Sequence, residues 1–395
     1  MRPTVPAMER IDILIGGGGI AGMAAACRLA AAGHQTVLVD PRPPGPGTDV
    51  RTTALLEPAI DTLERAGAWP GMEADAAPLS VMRLIDAGGV ERCPRETADF
   101  RADEIRPRPF GQNIANTAIR TALEARLGTL GVRRITGRAT GTVPRGRERI
   151  VRLADGTHIA ARLVIAADGR DSVLRQTAGL TVRRWDYGQC ALVFAVHHDR
   201  PHDAISTEIH RTGGPLTLVP MPDRDGRPTS SVVWMSPGPR ADALNRMDDA
   251  TLSIEITRET MQLFGPLAVT GPRALWPIIS QIAPRITAPR LALIAEAAHV
   301  IPPIGAQGLN MSLADVECLA DLAARAPDPG GESLLGTYAR RRWPDMAARV
   351  AGVDLLNRAA QVEWQPLRDL RRLGLKAIHE IAPLRRAAMR IGLGG

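Results

Sequence analysis

The chain has 395 residues, a length that favours two domains or one large domain carrying an insertion. Of these residues 45% are hydrophobic and 23% charged, as is typical of a globular protein. The net charge is +7, but the basic residues are scattered and only 3% of residues are aromatic, which argues against a nucleic-acid-binding protein. The cysteines are widely spaced without a CxxC pair, so neither a disulfide framework nor a zinc site is indicated.

The first motif lies in IDILIGGGGIAGMAAACRLAAAGHQTVLVD, residues 11–40, which has the pattern of strand, glycine turn, helix and strand. Gly17, Gly19 and Gly22 form GxGxxG: the first permits the turn, the second lets the backbone approach a pyrophosphate, and the third lets helix and strand pack closely. Asp40 ends the second strand, where an acid can bind both ribose hydroxyls and disfavours a 2′-phosphate. The segment predicts a dinucleotide site for FAD or NAD.

A second motif lies in RLVIAADGRDSVLRQTAG, residues 162–179, in which a buried strand is followed by Asp168 and Gly169. Ser172 falls in the helix expected after them. Taken alone, this segment is equally compatible with a structural turn in which Asp168 caps the helix.

The third motif is LALIAEAAHVIPPIGAQGLNMSLAD, residues 291–315, which begins as a buried strand and places Glu296 at its end. Two prolines and a glycine-bearing turn then lead into a helix. By itself the segment indicates only a strand and a turn.

GGGIAG, ADGRDSVLR and this third segment, in that order, resemble the fingerprints of the flavoprotein aromatic hydroxylases, and the best match is the ubiquinone-biosynthesis hydroxylase group. FGQNIANTAIRTAL, YGQCALVFAV, PLTLVPMPD and SSVVWMSP are also similar to that group, and the resemblance extends from Ile11 to about Gly392. The chain departs from the family at Ala295-Glu296, where Gly-Asp is usual, and at Ser312, where glycine is frequent.

The resemblance implies an α/β fold, in which a discontinuous Rossmann-like FAD-binding domain carries an inserted, mostly antiparallel β-sheet substrate domain and C-terminal helices. The FAD-binding domain would comprise residues 10–80, 105–180 and 285–345. The sheet domain would comprise residues 81–104 and 181–284, and the C-terminal helical segment residues 346–395.

The same resemblance implies roles for individual residues. Arg51 would lie beside the phosphate and ribityl region, Asn116 near the flavin, and Asp168 toward the pyrophosphate and the path of the pyridine nucleotide. The helix starting near Gly308 would stabilise negative charge on reduced flavin, by about 0.3–1 kcal/mol. The expected cofactor-binding residues are Gly17, Gly19, Ala21, Gly22, Asp40, Arg51, Asn116, Asp168, Gly169, Glu296, Gly308, Leu309 and Asn310.

The implied reaction uses NAD(P)H to reduce FAD, after which dioxygen forms a C4a-hydroperoxyflavin that hydroxylates an aromatic ring, here a polyprenylated phenol of ubiquinone biosynthesis. The sequence names no catalytic base. His299 and Pro303 are expected beside the cavity, with His299 more plausible as a structural hydrogen-bonding residue. Weak candidates for a base in the inserted domain are His197, His198, His202 and His210.

Two alternatives remain open from the sequence. A flavin-dependent reductase or dehydrogenase would use the same three nucleotide motifs. A non-catalytic subunit of a quinone-biosynthesis complex is suggested by the departure at Ala295-Glu296, since an added methyl and a longer acid both alter the cofactor contact.

The tail WQPLRDLRRLGLKAIHEIAPLRRAAMRIGLGG has a partly apolar helical face among basic residues, formed by Leu367, Leu370, Leu373, Ile378 and Ile381. It predicts either a helix packed on the core or a helix that docks on a membrane surface or a partner.

No secretory leader and no apolar run of about 18 residues is found. We therefore expect a cytoplasmic protein, with a peripheral position on the inner membrane left open.

Overall fold

A computed structural model describes residues 8–87, 93–211, 213–361 and 376–393. An eight-stranded sheet, called the nucleotide sheet here, has a central path of parallel strands with a short antiparallel strand at one edge and an antiparallel pair joined to it. Its strands are β1 (Glu9–Gly16), β2 (Thr36–Asp40), β8 (Arg133–Thr136), β9 (Ala139–Arg145), β10 (Glu148–Leu153), β11 (His158–Ala166), β17 (Thr287–Ala288) and β18 (Leu291–Leu293).

A second eight-stranded sheet, called the cover sheet here, is antiparallel except for one parallel pair. In spatial order its strands are β19 (His299–Val300), β16 (Leu267–Ile282), β12 (Arg183–His198), β15 (Arg227–Pro237), β14 (Gly214–Arg224), β13 (Ile205–Arg211), β5 (Val81–Asp86) and β6 (Glu96–Arg101). Three further strands form a small antiparallel sheet: β3 (Thr52–Leu56), β7 (Gly111–Ala115) and β4 (Ala76–Leu79).

The helices in the described ranges are α1 (Ile20–Ala31), α2 (Glu57–Arg65), α3 (Asn116–Thr129), α4 (Val173–Thr177), α5 (Gly238–Arg246), α6 (Asp249–Glu259), α7 (Gln307–Ala324), α8 (Glu332–Gln361) and α9 (Ala382–Leu393). The main core lies around the nucleotide sheet, where α1 packs against α3 and α7. Residues 13–15 and 163–165 at its centre are fully buried, as expected for parallel strands covered on both faces. The first and third predicted motifs therefore meet in space through α1 and α7.

The parallel nucleotide sheet and the largely antiparallel cover sheet confirm the predicted α/β fold with an inserted β-sheet domain. The proposed division of the chain into domains stays a prediction, and its boundary at residue 345 lies inside α8. Among the helices of the described ranges, none is long and apolar enough to cross a bilayer.

Candidate functional site

A cleft of about 2040 Å³ lies between the nucleotide sheet and the cover sheet. It is larger than the pocket of roughly 300–1,000 Å³ that usually holds one small ligand. Of the residues predicted for the cofactor site, all except Asn310 line it, and so do His299 and Pro303. The three sequence motifs, far apart in the chain, thus face one cavity.

The glycine turn between β1 and α1 forms one wall of this cleft. A Cβ atom on Gly17 would lie 2.1 Å from the carbonyl oxygen of Ala167, and one on Gly22 would lie 1.9 Å from that of Gly17. At Gly19 no atom lies within 4 Å of an added Cβ. Gly17 and Gly22 are therefore required by packing inside the protein, whereas Gly19 keeps open the space in front of the first turn of α1.

Asp40 at the end of β2 is almost completely buried beside this turn. Its carboxylate accepts hydrogen bonds from the amide of Gly18 and from the amide and guanidinium of Arg42, the last two at 2.8 and 3.1 Å. Burial by itself would raise the pKa of Asp40, but these hydrogen bonds outweigh it and lower the pKa below its usual value. The group is thus an anionic acceptor at the cleft wall, as a ribose site requires.

A polar network joins the start of β3 to the start of α3. The Arg51 guanidinium contacts Asp49 at 2.7 Å, Asn116 donates to Asp49 at 2.9 Å, and Thr53 donates to Asn116 at 2.7 Å. The Arg51 guanidinium also stacks over the ring of Trp276 in the cover sheet, 4.6 Å from its centroid. Arg51 and Asn116 therefore line the cleft in fixed orientations, and Arg51 links the two halves of the protein.

Asp168 lies deep in the cleft wall at the end of β11. Its carboxylate accepts a hydrogen bond from the hydroxyl of Ser172 and another from the amide of Leu174 at 3.1 Å. Burial raises the pKa of Asp168, although these hydrogen bonds oppose the shift. The carboxylate therefore holds the first turn of α4 in place, and Asp168 also lines the cleft.

The departure at Ala295-Glu296 has a backbone consequence. Ala295 has φ +54°, in the left-handed region that favours glycine. Glu296 follows in a short 3-10 turn, lines the cleft with 47% of its side chain exposed, and lies 3.6 Å from Arg170. The alanine costs backbone strain of about 1–2 kcal/mol relative to glycine, and the longer acid is accommodated beside a cation.

The helix α7 presents its amino-terminal end to the cleft. Its N-cap residue, Ala306, has φ +55° and makes no side-chain capping bond, and Gln307, Gly308 and Leu309 of the first turn line the cavity. Together with α1, two helix N-termini face the same space, where their unpaired amides favour bound anionic groups.

Asn310 is the predicted site residue that lies outside the cleft lining. Its side chain donates to the carbonyl of Ala54 and accepts from the amide of Leu56, both at 2.8 Å. The side chain therefore ties α7 to β3 and so fixes the direction in which this helix N-terminus points.

The four histidines of the inserted domain do not lie in the lining of the cleft. His197 contacts Thr229 at 3.1 Å, His202 contacts the carbonyl of Met221 at 3.0 Å, and buried His198 contacts Arg200 and Ser230. These three rings make hydrogen bonds within the protein and lie outside the cleft lining, and a role as base for any of them stays a prediction. His210 is the exception, because its ring contacts a carboxylate that does face the cleft.

The cover-sheet side of the cleft is mainly apolar. It is formed by side chains of the sheet together with residues of α8 and α9, including Met82, Leu84, Phe100, Val219, Val233, Trp276, Val353 and Met389. Met389 of α9 is buried against Phe100 and Phe110, and Arg385 forms an ion pair of 2.7 Å with Glu104. The described part of the tail therefore packs against the body, while residues 362–375, including Leu367, Leu370 and Leu373, lie outside the described ranges.

Two residues of the site, Arg120 and Asp49, were not predicted from the sequence. Arg120 donates to the carbonyl of Gly18 at 2.8 Å and lines the cleft. It lies four residues after Asn116 on α3 and therefore on the same helical face, and this spacing could have predicted its place in the site. Asp49, two residues before Arg51, had no comparable signal, because its role depends on the contact between β3 and α3.

A family model described as an FAD binding domain matches residues 10–352. The chain belongs to this family. Ubiquinone hydroxylase UbiL of Rhodospirillum rubrum is 32% identical over 393 residues, which cover 97% of this chain and 89% of that protein. The 3-demethoxyubiquinol 3-hydroxylase of Escherichia coli is 29% identical, with coverage of 97% and 98%. The predicted resemblance to the flavoprotein hydroxylases is confirmed.

Among solved structures, p-nitrophenol 4-monooxygenase PnpA of Pseudomonas putida has a TM-score of 0.80 at 18% identity, and the match covers 98% of this chain and 99% of that one. This likeness concerns the fold. The family match and the hydroxylase relatives make this protein an FAD-dependent monooxygenase, and NAD(P)H is the co-substrate typical of the family. FAD fits the residues present, since the open face of Gly19, the Asp40 carboxylate and two helix N-termini line one large cleft.

Proposed function

We propose that this flavoprotein hydroxylates the aromatic ring of a polyprenylated phenol in ubiquinone biosynthesis. The main support for the proposal is that one cleft extends from the dinucleotide motifs to a mainly apolar wall of the cover sheet. Such a wall suits a ring with a hydrocarbon chain. The names of the relatives from R. rubrum and E. coli, both hydroxylases of ubiquinones or their precursors, support the same substrate class.

Bound FAD supplies the redox chemistry and the activation of dioxygen. The residues that would hold it are Gly17, Gly19, Ala21, Gly22, Asp40, Arg51, Asn116, Asp168, Gly169, Glu296, Gly308 and Leu309. Asp40 would accept hydrogen bonds from the ribose, and the N-terminus of α1 would bind the pyrophosphate. The N-terminus of α7 would stabilise negative charge on the flavin ring, with Asn310 holding the helix in place.

The protein also has to keep water from the reacting groups and hold the phenol in position. Pro302, Pro303 and Ile304 border the cleft between the nucleotide motifs and the cover sheet. Ile304 packs with Val193, Met235 and other apolar side chains of the cover sheet. This contact would exclude water on the side where ring and flavin meet.

The precursors of quinones in cells that lack the protein test the proposed function. Accumulation of one under-hydroxylated prenylphenol is expected, and its structure identifies both substrate and ring position. A normal precursor profile would contradict the role in ubiquinone biosynthesis. Substrate-dependent NADH oxidation without dioxygen would instead favour a reductase or dehydrogenase.

We further propose that the mouth of the cleft contacts an anionic membrane surface, from which a polyprenylated substrate enters. Leu356 and Ile378 line the cleft and yet have 56% and 39% of their surface exposed. Leu355 of α8, with Ile381 and Leu384 of residues 376–393, adds further exposed apolar area, and the same two parts of the chain carry Arg358, Lys376 and Arg386. Apolar side chains among cations are typical of an interfacial surface.

Co-sedimentation with liposomes containing anionic lipid tests this contact. The double variant Leu356→Ser with Ile378→Ser should bind less, whereas Ile254→Ser, which removes an even more exposed apolar side chain from α6, should bind like the parent. Point substitutions are preferable to removal of the tail, because Met389 and Arg385 of α9 pack against the body. Equal binding of all variants would contradict the proposal.

A further inference from the structure

A buried carboxylate and a histidine lie together on the cover-sheet side of the cleft. Glu208 of β13 lines the cavity although only 7% of its surface is exposed, and its Oε1 lies 2.8 Å from Nε2 of His210. The second ring nitrogen of His210, Nδ1, is buried and has no hydrogen-bond partner among the described residues. The imidazole is thus held beside Glu208, two residues further along the same strand and on the same face.

Apart from the hydroxyl groups of Ser206 and Thr217, the side chains that line the cleft around this pair are mainly apolar. Leu84 on β5 is in register with Glu208, and Met82 and Val219 line the cleft on the neighbouring strands. A carboxylate in such a wall costs free energy unless it has partners. Since a carboxylate accepts several hydrogen bonds, its contact with His210 leaves capacity for a hydroxyl group of a ligand.

The register of the cover sheet relates Glu208 to the apolar cluster beside Pro302 and Pro303. Glu208 pairs with Thr217, and Thr217 pairs with Val233, so that two strand spacings, about 10 Å, separate Glu208 from Val233. Val233 packs against the apolar cluster that contains Ile304, which follows Pro302 and Pro303 at the border of the flavin region. Ile304 and Glu208 thus line the same cleft.

We infer that Glu208 binds the phenolic hydroxyl of the substrate and that His210 is the positioning residue that orients the carboxylate. The hydroxyl donates to the carboxylate, which increases electron density on the ring and fixes the ring carbon that faces the flavin. The inference rests on the proposed function and adds the residue that recognises the substrate. It also explains why the wall facing an apolar substrate contains one buried acid.

The test compares two small probes on the flavin-loaded enzyme, 2-prenylphenol and its methyl ether 2-prenylanisole. In the ether a methyl group replaces the hydroxyl proton, so the ether cannot donate a hydrogen bond. Binding is followed through the absorbance of the flavin. The parent should prefer the phenol, and Glu208→Gln should lower that preference by roughly tenfold to a hundredfold, as expected for a hydrogen bond to a charged group, with little change for the ether.

Glu64→Gln, on the exposed side of α2, is the matched control and should leave the preference unchanged. His210→Phe, which cannot hold the carboxylate, should lower the preference, and His210→Gln, which keeps a donor, should restore much of it. A merely structural role would affect both probes equally. FAD content and reduction by NADH without phenol report whether each variant is folded.

An undiminished preference for the phenol in Glu208→Gln and His210→Phe would overturn the inference while leaving the proposed function in place. If neither probe perturbs the parent flavin, the proposed aromatic substrate is contradicted, and the inference falls with it. A lowered preference in both variants, with the control unchanged, supports Glu208 as the residue that binds the phenol.

Discussion

His299 and Asp315 are joined by a hydrogen bond of 2.8 Å between Nε2 and Oδ2, and both side chains are buried. Asp315 also accepts from the guanidinium of Arg342 at 2.9 Å and from the amide of Ala295 at 3.1 Å. Burial by itself lowers the pKa of Arg342, but the adjacent Asp315 carboxylate raises it above its usual value. This carboxylate connects α7, α8 and the segment after β18, which supports the structural role expected for His299.

Asp315→Asn should destabilise the protein by up to about 3–5 kcal/mol, because the substitution removes the buried counter-ion of Arg342 and leaves only the partly exposed Asp345. Urea unfolding at neutral pH measures the change. Asp321→Asn, on the same helix but with an exposed carboxylate, should cost less than about 1 kcal/mol. Equal effects of the two substitutions would contradict the account of Asp315.

Ala295→Gly should leave the protein equally stable or up to about 1 kcal/mol more stable, since glycine removes the strain at φ +54° but increases the freedom of the unfolded chain. Ala297→Gly, two residues later in the 3-10 turn, lacks that strain and should cost about 0.5–1 kcal/mol. Thermal unfolding of the two variants side by side decides the matter. A clear loss of stability in Ala295→Gly would show that the left-handed backbone is not strained.

Gly19→Ala should fold normally but retain much less FAD, because no protein atom lies within 4 Å of the added methyl group and the residue lines the cleft. The flavin-to-protein absorbance ratio after gentle purification measures retention. Gly128→Ala on α3 also adds a methyl in open space, yet away from the cleft lining, and should keep its FAD. Full retention in Gly19→Ala would place the pyrophosphate elsewhere.

Burial lowers the pKa of His198, so the folded protein binds a proton at this site less readily than the unfolded chain. Below the ordinary histidine pKa of about 6.5, the unfolded state therefore gains protons and stability falls as pH decreases, by at most about 1.4 kcal/mol per pH unit for one group. His198→Gln should weaken this dependence between about pH 7.5 and 5.5.

Urea unfolding at several pH values measures the slope for His198→Gln against the parent. His158→Gln is the control, since His158 is exposed on β11 and its substitution should leave the slope unchanged. A parental slope in His198→Gln would show that this imidazole does not contribute to acid destabilisation.

The sequence predicted those parts of the site that depend on local chemistry. The GxGxxG turn, the acid at the end of β2 and the glycine-bearing entry to α7 are each encoded within a few residues, and all of them face the cleft. The family resemblance then related the three motifs to one cofactor. The departure at Ala295 was also visible, although its cause, a left-handed backbone, appeared only with the structure.

Features that depend on contacts between distant segments could not be predicted. Glu208 is recognisable only once strand register places it on the cleft face, and Asp315 only once α8 brings Arg342 to it. The packing of α9 beside the cleft through Met389 likewise has no local signal, because the same amphipathic pattern suits a helix on the core or on a membrane.

The most direct test supplies the purified, FAD-loaded enzyme with NADH and the prenylphenol that accumulates in cells lacking it, under dioxygen labelled with the heavy isotope of oxygen. Mass spectrometry of the product then shows the origin of the new hydroxyl. The account predicts one labelled oxygen atom in each hydroxylated ring. A product without the label, or turnover that continues without dioxygen, would contradict it.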